Sequence, residues 1–324
     1  MRNLKDYGYK RALVTGGAGF IGSHLVEELL NQGMEVVSID NYSTGKKENL
    51  KGCRENPGLF EVECDITKYE DLRQYFQGID IVFHEAASKK TICLKDPRRD
   101  LEVNAKGTFN VLELSKEFGV KKILHASTGS VYGEAIYFPQ DENHPLVPKS
   151  YYGVSKLAGE KYAKVFELLY NMNVTILRYF HVYGPRQDFG QDGGVVSIFC
   201  HRVINGESPI IFGDGSQQRS FTYVKDVVDA NILLALKNGT KGECYNCASG
   251  IKITIQELAD KILHLFNRTD LVIQYKDWTI GDIKVFDVSN TKLRKLGFKF
   301  KTNFNEGLQK TVEWFINEKR NEFA

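Results

Sequence analysis

The sequence contains no apolar run approaching the ~18 residues of a transmembrane helix, so no membrane span is predicted. Its charge is nearly balanced, with 43 basic and 41 acidic residues. No basic stripe indicates a nucleic-acid partner, and no block of like charge indicates a charged tail. A glycine motif follows the polar N-terminus almost at once and leaves no room for a signal peptide. We therefore expect a cytoplasmic protein whose partners include neither nucleic acid nor membrane.

The six cysteines are scattered, and only Cys244 and Cys247 have the spacing of a redox or metal-binding pair. They lie in a strand-like stretch, where side chains three residues apart point to opposite faces. No second Cys or His pair is near them in the sequence. We therefore predict two buried apolar thiols, no metal site and a reducing compartment.

The 324 residues are enough for about two domains and a substantial core. Short apolar runs that end in polar residues alternate with helical patterns. This alternation predicts an α/β fold with a doubly wound parallel sheet, in which ligands lie beyond the carboxyl ends of the strands. The predicted strands are 12–14, 35–39, 60–64, 80–84, 120–126 and 174–178, and the predicted helices include 25–30, 69–77, 99–118 and 151–171.

A glycine motif joins the first strand to the first helix through Gly16, Gly19 and Gly22. The first glycine permits a tight turn, the second lets a pyrophosphate approach the backbone, and the third lets the helix lie close to the sheet. The N–H groups that open the helix would face the phosphates. Asp40, at the end of the next strand, would accept a bond from a ribose 2′-hydroxyl and repel a 2′-phosphate. The motif therefore predicts NAD as the cofactor.

The regular alternation stops near residue 180, where a loop-rich stretch begins and further segments follow irregularly. We therefore predict an NAD-binding Rossmann domain over 1–180, with a return segment near 220–248. A smaller α+β domain over 181–324 would bind most of the substrate. No internal repeat or low-complexity segment interrupts either part.

Tyr152 and Lys156 are four residues apart and project from one face of the predicted helix 151–171. An ammonium ~4 Å away, at an effective dielectric of ~20, is worth about 4 kcal/mol and would lower the phenol pKa by roughly three. A positive nicotinamide ring adds to this effect, so we expect the pKa of Tyr152 to be about 7, which suits a general base. Thr128, at a strand end, offers its hydroxyl to the same substrate oxygen. This set would remove a proton from a sugar alcohol while the nicotinamide takes the hydride.

Over nearly its whole length the chain resembles the extended short-chain dehydrogenase/reductases of the nucleotide-sugar epimerase/dehydratase family. The matching motifs are 15–24, 40–41, 65–66, 84–87, 103–108, 127–128 with 131–133, 152–156, 177–180 with 182–187, and 219–226. The resemblance implies the following contacts with NAD: Gly16, Gly19, Phe20, Ile21 and Gly22 along the pyrophosphate, Asp40 and Asn41 at the adenosine ribose, Asp65 and Ile66 at the adenine, Ala86, Ala87 and Lys89 on the nicotinamide side, and Asn104, Tyr152, Lys156 and Phe180 near the cofactor.

The resemblance also implies a nucleotide-sugar substrate and a homodimer formed through the helix that carries Tyr152. By this resemblance Thr128 and His181 would contact the substrate, and Arg219 would bind its nucleotide diphosphate. Lys90, next to Lys89, is a candidate for recognising an acidic sugar such as a uronate.

Gly129 and Ser130 replace the Asp–Glu pair of the family's 4,6-dehydratases, and decarboxylating members usually keep a glutamate at the position of Ser130. Neither residue moves a proton as a carboxylate does. The predicted activity is therefore that of an NAD-dependent nucleotide-sugar 4-epimerase, which oxidises C4 and reduces it again from the other face. The expected substrate is a UDP-linked hexose, N-acetylhexosamine or uronate.

Two further departures leave alternatives open. His181 stands where the family usually has an asparagine that touches the substrate. Thr279 replaces an arginine usually found two residues before Gly281, so one diphosphate contact is missing or is supplied by Lys276. The nucleotide therefore stays open. The alternatives are a C4 dehydrogenase that releases a 4-keto sugar, a dehydratase or decarboxylase, and a non-catalytic NAD-bound protein.

Overall fold

The computed structural model describes residues 3–190, 193–278 and 287–322, without the side chains of 90–92 and 321–322. Its strands are β1 (Arg11–Thr15), β2 (Glu35–Asp40), β3 (Leu59–Glu63), β4 (Ile81–His84), β5 (Lys122–Thr128), β6 (Val174–Tyr179), β7 (Val182–Tyr183), β8 (Ile210–Phe212), β9 (Gln218–Ser220), β10 (Thr222–Tyr223), β11 (Cys244–Cys247), β12 (Lys252–Thr254) and β13 (Gln274–Lys276). Its α-helices are α1 (Phe20–Asn31), α2 (Tyr69–Arg73), α3 (Lys90–Lys95), α4 (Pro97–Leu101), α5 (Thr108–Glu117), α6 (Tyr151–Tyr170), α7 (Val195–Ile204), α8 (Val224–Leu236), α9 (Ile255–Leu265), α10 (Thr291–Lys295) and α11 (Phe304–Glu322).

Seven of these strands form one sheet in the order β3-β2-β1-β4-β5-β6-β11, and every neighbouring pair is parallel. Parallel strands need crossover connections, and helices on both faces of this sheet provide them. The predicted doubly wound Rossmann sheet is therefore confirmed. Because all seven strands run the same way, their carboxyl ends lie at one edge, and the polar residues that end them meet there.

Two apolar layers cover the sheet. One face packs against α1 and α8, and the other packs against α5 and α6. A third apolar cluster joins α7, α9 and α11 with the antiparallel pair β9 and β12, which gives the smaller α+β part. The chain returns to the large sheet through α8 and β11, and β11 pairs with β6. No helix within the described ranges is long and apolar enough to cross a membrane.

Some predicted boundaries differ from the structure. The strand predicted at 120–126 is β5, which ends at Thr128 because Ser127 and Thr128 continue the pairing with β6. The helix predicted at 99–118 is α4, a π-helical turn (Glu102–Gly107) and α5. The π turn contains Asn104, and such turns inside helices frequently mark functional sites. Cys244 and Cys247 are buried free thiols, as predicted.

Candidate cofactor and substrate site

The turn between β1 and α1 depends on its glycines. Gly16 has φ +68°, and a Cβ there would lie 2.8 Å from the backbone nitrogen of Ala86. A Cβ on Gly22 would overlap the carbonyl oxygen of Gly16, so the helix lies directly against the turn. No side chain caps the N-terminus of α1, and its first turn has no acidic residue. The first N–H groups of the helix are thus available to an anion such as a pyrophosphate.

A cavity of about 270 Å³ opens in front of this turn, at the carboxyl edge of the sheet. Its open helix N-terminus suits the pyrophosphate of a dinucleotide, and its acidic side chains suit the ribose hydroxyls. Most of the residues predicted to bind NAD line it: Gly16, Gly19, Phe20, Ile21, Gly22, Asp40, Asn41, Asp65, Ile66, Ala86, Ala87, Lys89, Tyr152 and Lys156. The structure therefore brings a set that spans more than 130 residues of sequence to one space.

Asp40 lies at the end of β2, where burial raises the pKa of its carboxyl even though backbone N–H groups lower it. Its Oδ2 accepts the N–H of Ala18 at 3.0 Å and its Oδ1 accepts the N–H of Tyr42 at 2.8 Å. These two bonds fix the carboxylate across the glycine turn. The remaining lone pairs of its oxygens are available for ribose hydroxyls.

Asp65 has a different set of partners. Its carboxylate accepts bonds from Asn41 Nδ2 at 3.0 Å and from Arg99 Nη2 at 2.6 Å. Burial raises its pKa, but the bonds from Thr67, Arg99 and Asn41 outweigh burial and lower the pKa to about 2. Asp65 is therefore a carboxylate at neutral pH. It holds Arg99, which the sequence did not single out, at the wall of the cavity.

Tyr152 and Lys156 lie in the first turns of α6. The hydroxyl of Ser150 starts this helix by accepting the N–H of Gly153 at 3.1 Å. Tyr152 is hydrogen-bonded to Thr128, the last residue of β5. Tyr152 and Lys156 line the cavity, whereas Thr128 does not. The hydroxyls of Tyr152 and Thr128 are thus held together beside the space that receives the cofactor.

The expected pKa of about 7 for Tyr152 is wrong for this structure. Burial raises the pKa of Tyr152 to about 12, and the bond from Thr128 only partly opposes that. Burial also lowers the pKa of Lys156 to about 8, against the attraction of Glu85, Glu160 and Asp100. Removal from water disfavours both charged forms. The influence that lowers the pKa of Tyr152 comes from Thr128 and not from the Lys156 ammonium on which the expectation depended.

Two residues predicted near the cofactor do not line the cavity. Asn104 is completely buried, and its side chain bonds the N–H of Ser88 at 2.9 Å and the hydroxyl of Ser155 at 3.1 Å. It therefore ties the loop after β4 to α6 from behind the wall. Phe180 is 2% exposed and packs over Gly129 with its ring stacked on Tyr132.

Three lysines are predicted near the nicotinamide or the substrate, namely Lys89, Lys90 and Lys276. Lys89 lines the cavity and forms an ion pair with Asp188 at 2.7 Å. That pair joins the loop after β4 to the segment after β7. The side chain of Lys90 lies outside the description, as do Thr279 and Gly281. Lys276 ends β13 and is exposed.

His181 and Arg219 are not among the residues that line the cofactor cavity. The carbonyl of His181 accepts the N–H of Thr222 at 3.2 Å, and its ring meets that of Phe221 edge-on at 6.1 Å. Its φ of +39° is left-handed, a region in which Asn, Asp and His are enriched among the residues other than glycine. The asparagine that the family resemblance leads us to expect at this position would also adopt this conformation readily. Arg219 is 7% exposed and donates to the carbonyl of Gln218 at 2.9 Å.

Sequence reasoning missed several lining residues, above all Glu85 and Tyr179. Glu85 directly follows the last residue of β4 and so lies at the carboxyl edge of the sheet. The alternation of side chains along a strand could have shown that it points to the face opposite that of His84. Sequence reasoning also missed a buried network next to Thr128. In it, the Glu160 carboxylate accepts from Ser127 Oγ at 2.5 Å and pairs with Arg178 at 2.7 Å. This network fixes β5, β6 and α6 relative to one another.

Comparison with known proteins agrees with this geometry. The model of the NAD dependent epimerase/dehydratase family matches residues 12–248. A putative UDP-glucose 4-epimerase of Methanocaldococcus jannaschii is 40% identical over 311 residues, which cover 95% of this chain and 99% of that protein.

Two solved structures are similar over nearly the whole chain. The UDP-glucose 4-epimerase of Thermotoga maritima with UDP-glucose is 39% identical at a TM-score of 0.90, covering 95% of this chain and 99% of that one. The UDP-N-acetylglucosamine 4-epimerase of Methanobrevibacter ruminantium M1 in complex with UDP-N-acetylmuramic acid is 36% identical at a TM-score of 0.91, covering 98% and 100%. The expectation of an NAD-dependent nucleotide-sugar 4-epimerase is thereby confirmed, and the chain belongs to the NAD-dependent epimerase/dehydratase family.

Proposed function

We propose that this epimerase acts on a UDP-linked sugar and that Thr128, Tyr152 and Lys156 are its catalytic residues. The observation that carries the proposal is that Tyr152 and Lys156 line the same cavity as the glycine turn and Asp40. A proton-transfer pair and a dinucleotide-binding turn thus face one space. NAD, when bound there, supplies the acceptor and later the donor of one hydride.

Oxidation of the C4 alcohol requires removal of its hydroxyl proton, and Tyr152 is the group placed to take it. Thr128, bonded to the same phenol, would hold the sugar oxygen. Because burial makes the phenolate unfavourable, the positive form of Lys156 one helical turn away is needed to offset it. The same phenol returns the proton when the ketone is reduced, so the reaction is reversible without a second acid.

The residues that line the cavity support the following proposal for the rest of the cofactor site. The N–H groups at Phe20 and Ile21 would hold the pyrophosphate, and Asp40 with Asn41 the adenosine ribose. Asp65 and Ile66 would flank the adenine, and Ala86, Ala87 and Lys89 the nicotinamide side. Asn104 and Phe180 would act from behind, as positioning residues.

The turn after Thr128 supports epimerisation over loss of water or carbon dioxide. Gly129 and Ser130 form its first two residues, and neither has a carboxylate. Gly129 is also packed against the ring of Phe180, so a larger side chain has no room there. This arrangement favours an epimerase over the dehydratase and decarboxylase alternatives.

The substrate would lie between the cofactor cavity and the smaller part of the chain. Arg219 would bind its diphosphate, and His181 its sugar or ribose. UDP-glucose and UDP-galactose are the proposed pair, supported by the named activities of the relatives. The N-acetylated pair is the second candidate, supported by the second solved structure.

The test is to incubate the purified protein separately with UDP-glucose, UDP-N-acetylglucosamine and UDP-glucuronate, and to follow the C4 configuration by proton NMR. We expect the C4-inverted sugar without net NADH formation. Tyr152→Phe should lower the rate by about 10²–10⁴, since it removes the acid and base. Stoichiometric NADH with a released 4-keto sugar would favour the dehydrogenase, and a 6-deoxy product the dehydratase.

We also propose a homodimer formed through α6. One face of this helix carries apolar residues that are 41–63% exposed, two in its first turn and three in its second half: Tyr151, Val154, Tyr162, Val165 and Leu169. Exposed apolar residues grouped on one helix face are typical of an interface, and a second copy would cover them with the same face. Leu169→Glu should give monomers by light scattering, whereas Val272→Glu, at a site 76% exposed elsewhere, should leave dimers.

We also propose how the chain is divided into two parts and in which compartment it is found. The Rossmann part would comprise 1–180 with the return through α8 and β11, and 181–324 would mainly bind the nucleotide-sugar. The cytoplasm is the proposed compartment, which is supported by six cysteines that are all free thiols. Fractionation of the source cells with an antibody against the chain tests the compartment.

A further inference from the structure

Three acidic side chains line the cofactor cavity, and they differ in how their charge is compensated. Asp40 accepts two backbone N–H groups, and Asp65 is paired with Arg99. In the part of the chain that the structure describes, Glu85 accepts one hydrogen bond, from the hydroxyl of Tyr179 at 2.8 Å. Glu85 therefore has neither a bonded cation nor a pair of N–H donors.

The backbone fixes where Glu85 points. Its N–H donates to the carbonyl of Thr15 at 3.1 Å, which extends the pairing of β4 with β1 by one residue. The preceding residue, His84, points to the opposite face and bonds the hydroxyls of Thr15 and Thr108. Glu85 is therefore directed toward Tyr179 and the cavity.

Tyr179, whose hydroxyl bonds Glu85, is held in place by Asn231. Asn231 Nδ2 donates to the Tyr179 hydroxyl at 2.8 Å, and the same nitrogen donates to the carbonyl of Val227 at 3.0 Å. Because the hydroxyl of Tyr179 accepts from Asn231, its own proton goes to Glu85. This chain of bonds ties the cavity wall to α8 and leaves the second carboxyl oxygen of Glu85 for the cavity.

A carboxylate with one neutral donor is poorly compensated once it leaves water. Burial raises the pKa of Glu85 to about 7, although the bond from Tyr179 and the charge of Lys156 lower it. The other ionisable groups that face Glu85 are Tyr179 on β6, Lys156 on α6 and Cys247 on β11. Two phosphate charges entering the same cavity would favour the protonated form of Glu85 further.

We propose that Glu85 binds the cofactor as a carboxylic acid, which donates a hydrogen bond to the dinucleotide, and that ionisation of Glu85 weakens binding. The acid is the one lining acidic group that carries a proton to give, whereas Asp40 and Asp65 act as acceptors. This inference rests on the proposed function through the NAD site alone, and it does not depend on the sugar.

The experiment is isothermal titration of the cofactor-free protein with NADH between pH 6 and 9. The Kd of the wild type should stay level up to about pH 7 and then rise by up to about tenfold per pH unit. Glu85→Gln is the matched variant, since its amide keeps the shape and a donor but does not ionise. It should bind like the wild type at pH 6 and about tenfold more tightly at pH 8.

Tyr179→Phe should shift the rise in Kd to higher pH. Loss of the donor destabilises the carboxylate, so Glu85 should stay protonated to higher pH and the rise in Kd should begin later. Lys156, whose pKa is about 8, loses its charge in the same titration. Glu85 is one of the groups that raise the pKa of Lys156, so Lys156 should lose its charge at lower pH in Glu85→Gln. That change would weaken the binding of an anionic dinucleotide, so tighter binding by Glu85→Gln at pH 8 reports on Glu85 itself.

Equal pH profiles for wild type and Glu85→Gln would overturn the proposal, as would a constant loss of affinity in Glu85→Gln at every pH. An unshifted profile in Tyr179→Phe contradicts it independently of how well Glu85→Gln folds. Failure of the wild type to bind NADH at any pH would instead refute the proposed cofactor site itself.

Discussion

Replacing Gly129 by alanine should destabilise the fold by about 1–3 kcal/mol, the usual cost of forcing extra atoms into a packed site. The new Cβ would lie 2.7 Å from Cδ1 and 2.8 Å from Cζ of Phe180, and nearer still to Cε1. The ring cannot move aside easily, because it is buried and stacks on Tyr132 with a centroid distance of 6.2 Å. Tyr132 is held in turn by its hydroxyl, which donates to Asn246 at 2.6 Å and accepts from Arg178 at 2.8 Å.

A double-mutant cycle separates this contact from other effects of the substitution. Phe180→Ala alone should cost about 3–5 kcal/mol through the cavity it leaves. In that background Gly129→Ala should cost close to nothing, because the atoms that it would strike are gone. The two changes should therefore couple by about 1–3 kcal/mol, measured by urea unfolding of all four proteins in the absence of NAD.

Gly52→Ala is the matched control. A Cβ on Gly52 would meet no atom within 4 Å, and the backbone there is not left-handed. Its effect should stay within about 0.5 kcal/mol. If Gly129→Ala cost the same with and without the Phe180 ring, or cost no more than Gly52→Ala, the steric argument would be refuted.

Three further outcomes follow from buried charges. Because burial lowers the pKa of Lys156 to about 8, its ammonium is lost as the pH rises past 8, and kcat/KM should fall above that pH. Lys156→Met should lose most of the activity, and its remaining kcat/KM should no longer fall above pH 8. Lys122 has a pKa lowered by burial to about 7, so above pH 7 the unfolded chain binds a proton that the folded chain lacks. The free energy of unfolding should rise with pH in that window, and Lys122→Met should lower the slope between about pH 7 and 8, below the range in which Lys156 adds to it. Glu160→Gln leaves the buried charge of Arg178 unpaired and should cost about 3–5 kcal/mol in urea unfolding.

The parts of the fold that depend on local pattern could be predicted from the sequence. The helix expected at 151–171 is α6, because an apolar periodicity and the Ser150 cap act within a few residues. The glycine turn was equally predictable, since Gly16 and Gly22 are required by contacts inside the turn itself. The carboxyl ends of parallel strands meet by topology, so Asp40 and Asp65 could be placed together in advance.

Features that depend on distant packing could not be predicted. The pKa of Tyr152 is set by how much protein surrounds the phenol, which no spacing along a helix reveals. Arg99 reaches the cavity because Asp65, 34 residues earlier, holds it there. Phe180 and Asn104 were assigned to the cofactor by resemblance, and neither lines the cavity: the ring of Phe180 packs over Gly129, and Asn104 bonds the backbone of Ser88.

Removal from water is the largest influence on the charge of three groups in the cavity wall. It keeps Tyr152 a neutral phenol, brings the pKa of Lys156 close to neutrality and raises that of Glu85 to about 7. Asp65 keeps its charge because a guanidinium is bonded to it. The cavity therefore offers an anionic dinucleotide the helix N–H groups and neutral donors, beside the ion pairs of Arg99 and Lys89 and, below about pH 8, the ammonium of Lys156. Catalysis needs the phenolate of Tyr152 and the ammonium of Lys156 only during proton transfer. At that stage the substrate and the cofactor have replaced the water around both side chains.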